Sequence, residues 1–165
     1  MKKTVMLGFL LALSMILSYI ESILPISIGI PGIKLGIPNL TVVILFYLYG
    51  AREALAVNLC RIVLTGFLFG NFFAIIYALA GALLSFVVML IMRKTDIFSI
   101  AGVSIGGGVF HNIGQLIVAM FVVDTYAPVF YLPVLLIAGA VTGFIIGVVS
   151  MRVMPYLQSR SSNIN

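Results

Sequence analysis

Long apolar runs, each closed by proline, glycine or charge, divide the chain into six segments. A helix needs about 20 mainly apolar residues to cross the hydrocarbon core of a bilayer. On that rule the pattern predicts helices over 4–24, 38–50, 54–69, 72–92, 99–123 and 128–154. The first stops at Pro25. The second and third are short, and Ala51-Arg52-Glu53 between them predicts a turn; merging them gives a five-span alternative with one long kinked segment. From Pro25 to Ile37 runs a connection rich in Gly and Pro yet apolar, unusual for a loop in water and suited to a cap over a cavity. The expected fold is all-α: a polytopic membrane protein, one domain of six transmembrane helices with an apolar outer loop between the first two.

Composition strengthens this reading. The chain has 165 residues, 63% hydrophobic and 8% charged, with a mean hydropathy of +1.30. Soluble domains carry about 25% charged residues, and disordered chains combine low hydrophobicity with high net charge, so both classes are excluded. The net charge of +5 includes no basic run longer than two residues, which argues against nucleic acid as a partner. It acts as a topology signal. With six spans and a cytoplasmic N-terminus, Lys2, Lys3, Arg52, Arg93, Lys94, Arg152 and Arg160 fall inside, and only Lys34 falls outside. That is the bias expected of a multi-pass plasma-membrane protein with both termini cytoplasmic. Lys2-Lys3 before an apolar run also resembles a signal peptide, but the run is long and no A-x-A-like site closes it. Cys60 is the one cysteine, so neither a disulfide framework nor a Cys metal cluster is expected.

Lipid gives helices no hydrophobic reason to associate, so they pair through small residues. The sixth segment has Gly139, Gly143 and Gly147 four apart, and the fourth has Ala74, Ala78 and Ala82. Gly8 and Ala12 in the first segment are candidates either for contacts inside the bundle or for receiving a partner membrane protein. Gly106, Gly107 and Gly108 weaken a helix relative to alanine and predict a kink or very close packing just before His111.

Polar groups at membrane depth mark function or a buried partner. Glu21 lies about one turn from the end of the first segment. Arg61 is mid-way along the third, with Asn58 one turn before it and Thr65 one turn after. His111 and Gln115 share a face of the fifth, next to Asn112. Two bland readings stand beside a functional one: Glu21 and Arg61 form a structural ion pair, or His111 and Gln115 are interhelical glue. The functional reading takes Glu21, Lys34, Asn39, Arg61, His111, Asn112 and Gln115 as a substrate site in the outer half. Arg61 and Lys34 would meet an anionic or strongly polar group, Glu21 would orient Arg61 or the ligand, and the others would supply hydrogen bonds. Lys34 at the lipid headgroups is its own alternative. Catalysis lacks parts: one histidine, no carboxylate pair at helical spacing, no metal-ligand cluster and no ATP-binding signature. No cofactor or metal is expected, and the chain is not expected to be an enzyme.

The stretch Glu21…Pro25…Pro31-Gly32-Ile33-Lys34-Leu35-Gly36…Asn39, then Arg52-Glu53-Ala54, Arg61, Gly70, Gly81 and Ser104…His111-Asn112-Ile113-Gly114-Gln115, resembles the family called Gx transporter or heptaprenyl diphosphate synthase component I. The likeness covers roughly Gly8 to Val149. Members look like the substrate-binding S components of energy-coupling-factor vitamin transporters. That resemblance implies six helices, a lid-like first loop, and a first helix whose small face docks a transmembrane coupling subunit driven by two cytoplasmic ATPases. A trans-prenyl synthase would need Asp-rich motifs to hold Mg²⁺, and the only aspartates are Asp96 and Asp124. The expectation is a subunit that captures a small anionic or amphipathic metabolite, of vitamin or isoprenoid/quinone-precursor type, within the lipid bilayer. The alternatives are a membrane subunit of a quinone- or flavin-linked redox system and a non-catalytic partner of a prenyl diphosphate synthase.

Overall fold

Close-packed glycines and inward-turned polar residues decide how this apolar chain assembles. The structure, a computed structural model, describes residues 2–23 and 36–162. It contains α1 (Lys2–Ile23), α2 (Asn39–Leu48), α3 (Ala51–Phe69), α4 (Phe72–Lys94), α5 (Ile100–Val123) and α6 (Leu132–Ser162), with a 3-10 turn over Ala127–Tyr131 leading into α6. Lys34 and most of the Pro25–Ile37 connection lie outside the described residues.

Four segments are long and apolar enough to cross a membrane: Lys3–Ile23, Phe72–Lys94, Ile100–Val123 and Ala127–Gln158. On length and composition, four of the six expected spans stand out among the described residues. Helix α2 has 10 residues, and at 1.5 Å rise per residue it covers about 15 Å, half of a bilayer core. Helix α3 has 19 residues but carries Arg52, Glu53, Asn58 and Arg61, which lower its average hydropathy. Large apolar side chains are widely exposed, with Phe67, Phe121 and Phe130 all more than three-quarters exposed. Exposed apolar area on that scale marks a surface that meets something other than water.

The turn between α2 and α3 falls earlier than the charged triplet suggested. Gly50 makes it with φ +104°, a left-handed value that glycine adopts without steric cost. Arg52 and Glu53 then form the first turn of α3, where Glu53 sits favourably at the positive end of the helix dipole. Helix α6 also runs beyond the predicted 154, continuing through Pro155.

Helix α5 is one continuous helix pressed between α4 and α6, so its glycines serve close packing rather than a kink. Added Cβ atoms would strike backbone on both sides. At Gly114 one would lie 2.7 Å from the Ala80 carbonyl, at Gly143 2.5 Å from the Ser104 carbonyl, and at Gly147 2.5 Å from the Ala101 Cα. Helix α1 packs instead on α3 and α2, with Tyr19 and Phe69 ring centroids 4.9 Å apart.

An apolar cluster closes the end of the bundle that carries the N-terminus. Leu10, Leu45, Phe46, Ala54, Phe86, Met89 and Val103 form it, drawn from five helices. Arg93 caps this end: its guanidinium donates to the Phe46 carbonyl and lies 4.8 Å and 4.7 Å from the Phe46 and Tyr47 ring centroids. Lys3 bridges Glu53 at 2.5 Å, tying α1 to α3. The opposite half holds a cavity, and α2 begins on its wall.

Candidate functional site

Above the apolar cluster lies a cavity of about 470 Å³, within the 300–1,000 Å³ usual for small-molecule sites. Val43, Phe86 and Met89 of the cluster form its floor. Six of the seven side chains expected at a substrate site line it: Glu21, Asn39, Arg61, His111, Asn112 and Gln115. The seventh, Lys34, lies outside the described residues.

Arg61 is 9% exposed and sits at the centre of a polar cluster. Its Nε and NH2 donate to the Asn58 Oδ1 at 3.2 and 2.7 Å, its NH1 donates to the Ser18 Oγ at 3.3 Å, and NH2 also reaches the Asn39 Oδ1 at 3.4 Å. Helical spacing explains the strongest partner, since residues three apart are neighbours on one face. Thr65, one turn further on, donates to the Arg61 carbonyl at 2.8 Å. Every one of these guanidinium partners is a neutral oxygen. The Glu21 carboxylate attracts Arg61 through space, while its Oε1 accepts the Gly36 backbone N–H at 2.5 Å. Gly36 takes φ +66° to enter α2, so Glu21 fixes the end of α1 to the approach to α2. The simple Glu21–Arg61 ion pair is replaced by a network in which each group has other partners.

On the opposite wall, α4 and α5 meet so closely that a Cβ at Gly81 would lie 2.8 Å from the His111 carbonyl and 2.9 Å from the Gln115 Cγ. Gly81 thereby sets the position of both side chains. Asn112 has a second duty: its Nδ2 donates to the Leu135 carbonyl of α6 at 2.7 Å. It is interhelical glue at its amide nitrogen as well as part of the cavity wall.

Ser18, Asn58, Thr65, Ser85, Ser104 and Thr142 also line the cavity and were not among the expected site residues. Asn58 was legible from its spacing to Arg61. Ser18 belongs to the stripe Ser14, Ser18, Ser22, which resembles an ordinary small-residue contact face; within it Ser14 is fully buried, bonded to the Leu11 carbonyl. Gly8 and Ala12 lie on the exposed side of α1, with open space where a Gly8 Cβ would project. Among the described residues no group of three His, Cys, Asp or Glu is placed to hold a metal ion.

The chain matches the family described as heptaprenyl diphosphate synthase component I over residues 10–153. It belongs to that family. The match runs from within α1 to near the end of α6, so every described cavity residue falls inside it. No curated protein and no solved structure matches the chain.

Proposed function

We propose that this member of the heptaprenyl diphosphate synthase component I family is a substrate-binding membrane subunit. It would capture a small anionic or amphipathic metabolite for uptake, as the S components of energy-coupling-factor transporters do. The observation that carries this reading is Arg61: a buried cation whose hydrogen-bond partners among the described residues are neutral oxygens, on the wall of a cavity sized for a metabolite. A cation at membrane depth is costly, and an anionic ligand would offset that cost. In this reading the protein binds and releases its ligand without chemical change.

In this reading the chain sits in the cell membrane with both termini cytoplasmic. All six helices lie within the bilayer, α2 as a half-span. Movement of the ligand is driven by partners, a transmembrane coupling subunit and cytoplasmic ATPases. The coupling subunit docks on α1 around Gly8 and Ala12.

The test is ligand retention. The full chain is purified in detergent, denatured, and the released compounds are identified by mass spectrometry. A compound retained by wild type and lost from both Arg61→Ala and His111→Ala is expected; equal retention in all three would end the proposal.

The family description favours one second reading, a non-catalytic membrane partner of a prenyl diphosphate synthase. Under it, Arg61→Ala leaves synthase output in the producing cell unchanged, because no cavity ligand is involved.

A further inference from the structure

The polar groups of the cavity fall on two walls of different chemistry. The wall built from α1, α2 and α3 carries both formal charges, Glu21 and Arg61. The wall built from α4, α5 and α6 carries neutral hydroxyls and amides beside His111, among them Ser104. Ser104 is 3% exposed, lines the cavity, and its hydroxyl finds no hydrogen-bond partner among the described residues. Among the described residues the fully enclosed hydroxyl without a partner is that of Ser150, outside the cavity lining. The Ser104 hydroxyl opens on the cavity, where it offers one donor and two acceptor positions to a bound group. Ser104 stands near the start of α5 and Arg61 mid-way along α3. The hydroxyl therefore lies closer to the apolar floor than the guanidinium does.

Charge limits what can lie between them. In formal charge Arg61 and Glu21 cancel. Counting Lys34 from the sequence raises the sum only to one positive charge. A phosphate monoester carries about −1.5 to −2 at pH 7, and a diphosphate carries more. Phosphate sites also draw on open backbone N–H groups at a helix N-terminus. Helix α2 begins at the cavity, but the N–H groups of Asn39, Leu40 and Thr41 are bonded to the carbonyls of Gly36, Ile37 and Pro38 at 2.8, 3.1 and 3.2 Å. A carboxylate asks for less. It can be met by a single N–H: NH1 gives one to Ser18 and carries a second.

Building on the capture function proposed above, we infer the class of its substrate. The occupant is an elongated molecule with at most one negative charge, a carboxylate on Arg61 and a neutral hydrogen-bonding group at Ser104. It is not a prenyl phosphate or diphosphate.

The full chain purified in detergent provides the test, with released compounds examined by negative-ion tandem mass spectrometry and phosphorus NMR. The expected result is a phosphorus-free compound with one carboxyl group. Arg61→Ala loses it, and Ser104→Ala retains it about tenfold less well while melting, when stripped of ligand, at the wild-type temperature. Should Ser104→Ala melt lower, Ser104→Cys, a near-isostere and weak donor, reads the same loss. Added geranyl diphosphate or inorganic diphosphate leaves the wild-type melting temperature unchanged. A phosphorus-containing compound, or stabilisation by geranyl diphosphate that Arg61→Ala abolishes, overturns the substrate class and leaves the capture function standing. Undiminished retention in the Ser104 variants overturns the hydroxyl subsite. If wild type retains nothing, or retention is indifferent to Arg61, the capture function falls and this inference falls with it.

Discussion

Arg61 is held by groups that do not neutralise it, and that separates its effect on binding from its effect on folding. Burying a cation is unfavourable, and replacing it with an apolar side chain of similar length is often neutral or stabilising. Arg61→Met is therefore expected to abolish ligand retention while leaving the ligand-free melting temperature close to wild type. Asn58→Ala does the reverse kind of damage. It removes the best partner of a buried charge, at 2.7 and 3.2 Å, and hydrogen bonds to charged groups are worth about 1.5–3 kcal/mol. A destabilisation of that size in reversible unfolding is expected for Asn58→Ala. The importance of Arg61 and Asn58 is legible in the sequence because charge is so scarce there. The role of Glu21 is not, since its carboxylate meets a backbone N–H 15 residues away. Side-chain spacing cannot report such a contact, nor can it separate Ser18, a partner of Arg61, from Ser14, which bonds only its own helix.

Packing between helices rests on missing side chains. Gly108 and Gly139 face each other so closely that a Cβ on either would enter the other's carbonyl, and a Cβ on Gly139 would also come within 3.0 Å of the Asn112 Nδ2. Backbone cannot yield as a flexible side chain can. Gly139→Ala is expected to separate α5 from α6, break the Asn112–Leu135 hydrogen bond and destabilise by about 1–3 kcal/mol, the usual range for overpacking. Gly8→Ala, which meets open space, should not lower the melting temperature and, since alanine favours helix, should raise it slightly. The four-residue glycine spacing in α6 announces such a contact, whereas three successive glycines in α5 fit a kink equally well until the flanking helices are known. At the basic end the pair of Lys3 and Glu53 gives a pH signature. The Lys3 hydrogen bond holds the Glu53 carboxyl below the usual carboxylate range. Its contribution is complete above the unfolded-state value and disappears as pH falls through the lower folded one. Lys3→Met should flatten the acid limb of the melting-temperature profile by lowering its neutral-pH plateau slightly, while the acid end stays at the wild-type value.

At the scale of the whole molecule, the open question is whether α3 belongs in the bilayer with the four strongly apolar helices. Its average composition argues against it, but averages hide direction. Arg61 and Asn58 turn inward and are buried, while the outward face presents Ala56, Cys60, Val63, Leu64, Phe67 and Leu68. Such a helix offers lipid an apolar surface and reserves its polar side for the cavity, the arrangement expected of a charge at membrane depth. Cys60, exposed beside Arg61, makes the point measurable. If α3 spans the bilayer, Cys60 resists a membrane-impermeant maleimide applied from either side of intact membranes. In a Cys60→Ser background, Thr95→Cys between α4 and α5 should label from the N-terminal side only, and Thr125→Cys after α5 from the opposite side only. Labelling of Cys60 from either side would place α3 in water and leave the cavity without a membrane-embedded wall. Protection of Cys60 would put Arg61 at the depth where a cation needs an anion most.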